Sequence, residues 1–302
     1  MSDTLPKLLA RHAAQRGSAT ALREKRLGIW LETSWTRLHD DVRALALGLV
    51  ALGLRRGERV AIEGANRPAW LCAELAAQAA GASIGGDAAF TIAERGKRHW
   101  EVTRRGQPAI ALEAVLEKGR SQDPALHAAS VERGLETDLA VGPLSHRELL
   151  AAARGLPGLR AGDEVVCCEP LSTAAAQVGS VAVALGAGLT VNFPESAATL
   201  HADLREIGPH VLHAPPGFWD DLHASVQAKL ARTTRFNQFA YRRLLRPSLL
   251  SGLLLHAPLK DRLGLTRVHS AGALGASPST AALEFFRAIG LPLPTTPLPG
   301  AA

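Results

Sequence analysis

Residues 57–84 read GERVAIEGANRPAWLCAELAAQAAGASI, and this stretch decides the fold. Its spacing predicts a short buried strand over 59–62, a helix over 69–80 and a second strand resuming at 81–84. Asn66 is placed to cap the helix, and Pro68 sits in its first turn, where a missing N–H costs little. Strands joined by a helical crossover lie parallel, so the unit predicts an α/β protein.

Upstream, residues 4–17 carry Leu5, Leu8, Leu9 and Ala13 at helical spacing. Segments 21–25 and 28–35 predict a hairpin turned at 26–28, and a helix follows with Leu38, Val42, Leu45, Leu47 and Leu49 on its apolar positions. Downstream, 87–140 is the least coherent region, with only 109–116 reading as a packed segment. Alternation then returns: strands at 164–168, 189–193, 210–213 and 266–270, and helices at 173–185, 196–207, 218–231 and 278–289. Pro292, Pro294, Pro297 and Pro299 argue against any later regular element, and the last eight residues are expected to fray. The expected division is a first subdomain, 1–140, degenerate over 87–140, and a remaining α/β part, 141–302.

The chain has 302 residues, 47% hydrophobic but only 4% aromatic, so its core is built mostly from Ala, Leu and Val. The net charge of +6 comes mainly from scattered arginines; the densest cluster, 241–246, has only three. No basic run is interleaved with stacking aromatics, which argues against nucleic-acid binding. A weak peripheral membrane contact is left open by the charge. Cys72, Cys167 and Cys168 have no metal-ligand spacing and fit reduced thiols of a cytoplasmic protein. The uncharged stretch 171–194 is long enough to span a bilayer, but Gly186 and Gly188 break it into a buried helix and strand.

One junction bears on function. Residues 136–150 read ETDLAVGPLSHRELL. Asp138-Leu-Ala-Val141 resembles the segment that enters the phosphate loop of the AMP-forming acyl-CoA synthetases, the adenylate-forming superfamily. Leu144-Ser-His-Arg-Glu-Leu-Leu150 resembles the segment that leaves it. The glycine- and threonine-rich loop that cradles ATP phosphates there has no counterpart between them.

Further blocks in the same order strengthen the resemblance, which is closest to the long-chain fatty-acid CoA synthetases. They include residues 52–62 (LGLRRGERVAI), 190–195 (TVNFPE), 203–209 (DLREIGP), 270–275 (SAGALG) and 284–292 (EFFRAIGLP). The resemblance implies an incomplete N-terminal domain of the adenylate-forming type, made of β-α-β subdomains with largely parallel sheets. It implies a family reaction in which a fatty acid attacks ATP to give an acyl-adenylate, and the CoA thiol then displaces AMP. ATP, magnesium and CoA are the family's cofactors and substrates.

Against that pattern this chain lacks the phosphate loop and has Leu171-Ser-Thr173 where a His or aromatic is expected near the acyl pocket. Residues 294–301 (PTTPLPGA) stand where the aromatic-Gly-x-Thr-Glu motif should be. The ribose-binding Asp and the C-terminal domain with its catalytic Lys would lie beyond residue 302. The expectation is a family member that is catalytically inactive, with no catalytic residue, no metal ligand and no cofactor in use. Residual nucleotide or acyl contacts are assigned to Gly272, Ala273, Trp219, Ser145 and His146. For the last two, capping of the following helix is the simpler role, and for Trp219, core packing. The alternatives are a regulatory or scaffold subunit, forming a homo- or hetero-oligomer with a full-length paralogue, or a residual acyl or nucleotide binder.

Overall fold

A computed structural model describes residues 3–96, 99–234 and 255–300. The arginine cluster at 241–246 lies outside the described residues.

The β-α-β unit forms as the sequence predicts. Strand β3 (Arg59–Glu63) leads to a helix, Pro68–Ala79, and then to strand β4 (Ser83–Ile84), parallel to β3. The cap differs, because Arg67, not Asn66, is the N-cap and makes no side-chain cap bond. Asn66 instead accepts from Leu171 N–H at 2.9 Å and donates to the Glu169 carbonyl. A long-range contact thus outcompetes the local one.

Two seven-stranded sheets make up the fold. One is built on strands β1 (Thr20–Arg26), β2 (Ile29–Ser34), β10 (Glu164–Val166), β11 (Thr190–Phe193), β12 (Val211–Ala214), β13 (Ser270–Leu274) and β14 (Thr295–Thr296). Its order is β14-β13-β12-β10-β11-β1-β2, and every neighbour is parallel except the β1–β2 hairpin. The second, with order β7-β6-β5-β3-β4-β8-β9, adds β5 (Phe90–Arg95), β6 (His99–Arg104), β7 (Ile110–Ala111), β8 (Leu139–Val141) and β9 (Leu144–Ser145). Its centre is parallel and its edges are antiparallel. The sheets are interleaved along the chain: β1 and β2 join the sheet built mainly from residues after 164.

Helices α1 (Leu5–Arg16), α2 (Trp35–Ala51) and α3 (Pro68–Ala79) contribute to the first core, with Trp35, Leu45, Leu49, Leu71 and Leu75 buried. A second core gathers Trp219, Phe218, Phe285 and Phe286 around β12 and β13. It is fed by α10 (Pro216–Ala231) and α12 (Thr280–Ala288), with α9 (Leu200–Ile207) and α11 (Ala257–Leu263) beside it.

Four expectations need correcting. Residues 87–140 hold more regular structure than their pattern suggests: a β5–β6–β7 meander is followed by α4 (Leu112–Arg120) and α5 (Pro124–Glu132). The strand expected at 266–270 is Ser270–Leu274, so the glycine-containing block is itself a strand, held between β12 and the edge strand β14. The helix expected from 196 begins at Leu200, because Ser196 and Thr199 close a tight turn through reciprocal backbone and hydroxyl bonds. The proline-rich end does add a strand, since β14 pairs parallel to β13 between its prolines, and Leu298 packs on the core.

Helix α4 crosses α2 with backbones nearly touching. A methyl group placed on Gly119 would lie 1.7 Å from the Ala44 carbonyl oxygen, and one on Gly48 would lie 2.2 Å from that of Val115. Backbone cannot yield cheaply there. We expect Gly119→Ala to lower the urea midpoint by an amount corresponding to about 1–3 kcal/mol, while Gly86→Ala, open to solvent with nothing within 4 Å, changes it little.

Candidate functional site

The junction folds as a tight hairpin. Strand β8 ends at Val141, Gly142 and Pro143 turn, and β9 begins at Leu144. Gly142 holds a φ of +58°, a left-handed backbone that favours glycine, and its N–H is spent on the Ile84 carbonyl at 2.7 Å. Helix α6 (His146–Arg154) then starts with its donors already engaged. His146 N–H donates to the Asp138 carbonyl, Arg147 N–H to the Glu136 carbonyl at 2.7 Å, and Glu148 N–H to Ser145 Oγ. The Glu148 carboxylate returns to Ser145 N–H at 2.8 Å, completing a capping box. A helix N-terminus attracts phosphate because it offers free N–H groups and a positive dipole end. Here the donors are taken, and a carboxylate already occupies the dipole end.

Ser145 is therefore the helix cap. His146 is buried on the inner face, where its Nδ1 lies 3.4 Å from Leu5 N–H, and burial pushes its pKa down to about 4. Gly272, Ala273 and Trp219 meet at a different place. The Trp219 indole N–H donates to the Gly272 carbonyl at 3.1 Å, and the ring stacks edge-on against Phe218 and Phe286. Ala273 N–H donates to the Pro294 carbonyl, tying β13 to β14. The Gly272 Cα faces the His213 ring and the Pro294 carbonyl, since an added methyl would lie within 3 Å of both. His213 donates through Nε2 to Ser270 Oγ at 2.9 Å, because that hydroxyl itself donates to the Pro157 carbonyl. Its Nδ1 faces Gly272 without a hydrogen-bond partner, and burial pushes its pKa down to about 4.

Sequence reasoning missed a buried polar cluster between the two halves. The Glu74 carboxyl on α3 accepts from Gln78 Nε2 and from Gln177 Nε2, both at 3.0 Å. Gln177 also donates to the Leu171 carbonyl at 2.7 Å and opens a π-helical segment, Gln177–Ala182, set between α turns at Ala174–Ala176 and Val183–Ala187. Burial raises the Glu74 pKa to about 7. The lone glutamate in an alanine-rich helix at 68–79 was the available signal.

Among the described residues, cavities of about 230 to 430 Å³ lie along α2, α3, α4 and α5 and at the β3–β5–β6 region, and those four are not lined by the five assigned residues. The cysteines are free, and burial lifts the Cys168 pKa to about 12. Among the described residues no group of three His, Cys, Asp or Glu side chains is placed for a metal, and no helix is long and apolar enough to cross a membrane.

The profile of the AMP-binding enzyme family matches residues 9–85 and 143–295, more than half of the chain. The chain belongs to this family of adenylate-forming ligases. It is similar to the long-chain-fatty-acid–CoA ligase FadD15 of Mycobacterium tuberculosis, 38% identical over 55 residues that make up 18% of this chain and 9% of that protein. Its fold is similar to that of the fatty acid AMP ligase from Legionella pneumophila (TM-score 0.66, 14% identity, 95% of this chain and 52% of that one). It is likewise similar to the A domain of a carboxylic acid reductase from Segniliparus rugosus, solved with AMP and a carboxylic acid (TM-score 0.67, 14% identity, 96% and 59%). The chain thus spans little more than half of these solved structures. The family match breaks at 86–142 and resumes beside the tight turn.

The buried ionisable groups set a pH signature. His146, His213 and His127 are held near 4, below the ordinary value of about 6.5. The stability they contribute is full above about 6.5 and is lost as pH falls toward 4. Glu74 acts oppositely: raised to about 7, it withdraws stability as pH climbs from about 4.3 to 7. We expect Glu74→Gln to gain up to about 3 kcal/mol over the parent at pH 8 and little at pH 4, read from urea unfolding at each pH.

Proposed function

We propose that this chain is a non-catalytic member of the fatty acid–CoA ligase branch of the AMP-binding family, keeping the scaffold of ATP-dependent fatty acid activation without performing it. The observation that carries the reading is the closed junction: a two-residue turn and a fully bonded, carboxylate-capped α6 stand where a phosphate cradle would have to open. The residues present do not fit magnesium-bound triphosphate, for segment 293–301 offers two threonines and no carboxylate. Cradle and metal together supply the positioning and charge stabilisation that phosphoryl chemistry depends on. The absence of spaced or paired cysteines supports a cytoplasmic setting.

Exchange of labelled pyrophosphate into ATP with palmitate tests this. The expected rate equals that of the no-protein control, and exchange clearly above it would sink the reading. Calorimetric titration provides a second check. ATP and AMP should bind equally weakly, at millimolar levels worth about 4 kcal/mol, and micromolar, magnesium-dependent ATP binding would contradict the proposal.

A scaffold role beside an intact paralogue is favoured by one feature, the β1–β2 hairpin. Its tip and outer strand expose Leu27, Ile29 and Leu31 at 86%, 65% and 45% at the edge of the sheet that runs from β14 to β2. Open apolar edges favour association. Light scattering at tens of micromolar should show self-association that Ile29→Lys reduces; a monodisperse parent would count against it.

A further inference from the structure

Two of the cavities adjoin, sharing Arg37, Asp41 and Arg120 as common walls. The apolar one, about 240 Å³, lies where α2, α3, α4 and the β1–β2 hairpin converge. It is lined by Leu22, Leu38, Leu45, Cys72, Leu112 and Leu116. The other, about 330 Å³, is polar and carries Arg37, Arg43 and Arg120 with Asp40 and Asp41. Arg37 pairs with Asp41 at 2.8 Å and Arg43 with Asp40 at 3.1 Å. The partner of Arg120 is Glu117, which stands outside both linings, and the pair is exposed and 3.3 Å long. Exposed pairs of this kind contribute little, so the guanidinium is free to exchange partners. The polar cavity therefore holds three cationic and two anionic groups, one positive charge in excess, beside an apolar chamber.

The chamber owes its shape to α4. The close contact at Gly119 and Gly48 pins one end of that helix to α2, and Leu112 and Leu116 roof the space at its other end. Helix α4 falls within 86–142, the segment that the family profile leaves unmatched. Cys72 contributes only apolar surface, because burial pushes its thiol pKa far up.

We propose that this two-part cavity binds a single-chain alkyl carboxylate, with its tail in the leucine-lined chamber and its head beside Arg120 and Arg37. An apolar cavity of about 150 Å³ already takes up benzene, so this chamber suits a tail of about six to eight carbons. The site is separate from Gly272 and Trp219, and its occupancy is independent of whether the chain performs adenylation.

Titration calorimetry with sodium octanoate tests the assignment, alongside octanol and octylammonium as the uncharged and cationic counterparts. The expected result is one octanoate per chain, octanol at least tenfold weaker and octylammonium without signal. Leu116→Trp should abolish octanoate binding by filling the chamber, with Leu116→Phe as the milder fill should the first variant not fold. Arg120→Glu should weaken binding at least tenfold while leaving the melting temperature near that of the parent. No octanoate binding up to several millimolar, binding that survives the filled chamber, or equal binding of all three probes would overturn the proposal.

Discussion

The carboxyl of Glu74, buried on the helix between the two sheets, is the contact to which much of the architecture answers. A carboxyl taken out of water must find donors or give up its charge. Here Gln78 comes from one turn along the same helix and Gln177 from the far half of the chain. Gln177 reaches it from the first residue of the π segment, an irregularity that alters the register of the helix and also brings the amide to the Leu171 carbonyl. Asn66 fixes the same loop from the other side. Arg67 adds an ionic strut between Glu24 on one sheet and Glu94 on the other. The interface between the halves is thus specified by a few directional polar contacts set into alanine-rich packing, where apolar side chains alone would specify register poorly.

Much of the fold could be read in the residues, and the exceptions have a common physical cause. The β-α-β unit at 57–84, the hairpin and the helix–strand alternation after 164 all carry strong local periodicity. What escaped depends on partners distant in sequence. The two-residue strands β7, β9 and β14 are too short to show a pattern, and each exists because a neighbouring strand supplies its hydrogen bonds. Asn66 has the composition of a cap, but the Leu171 N–H makes a better offer than its own helix. Residues 87–140 looked incoherent because α4 buries few of its residues and rests on glycine contacts invisible to hydrophobic spacing.

At the candidate site the sequence was more informative about what is absent than about what remains. The fused flanks at 136–150 pointed to the missing loop, and the geometry gives the physical content: every early N–H of α6 has an acceptor within the chain. The role of Ser145 as helix cap was also visible beforehand, whereas the burial of His146 beside Leu5 was not. The grouping of Trp219 with Gly272 came from the family resemblance, whereas the bond that joins them links a helix and a strand more than fifty residues apart and leaves no local pattern.

The turn at Gly142 and Pro143 also marks a place where the chain tolerates change. The free energy of closing a flexible loop rises only logarithmically with its length, by about 0.6 kcal/mol per doubling. Ala140 and Val141 before the turn and Leu144 after it are already anchored in the core. A segment grafted between residues 142 and 143 would therefore leave the scaffold standing. To gain anything from it, the graft would have to draw the His146 and Arg147 amides away from Asp138 and Glu136. The scaffold would survive an insertion there readily, whereas recovering a phosphate cradle would require dismantling a helix start that is at present complete.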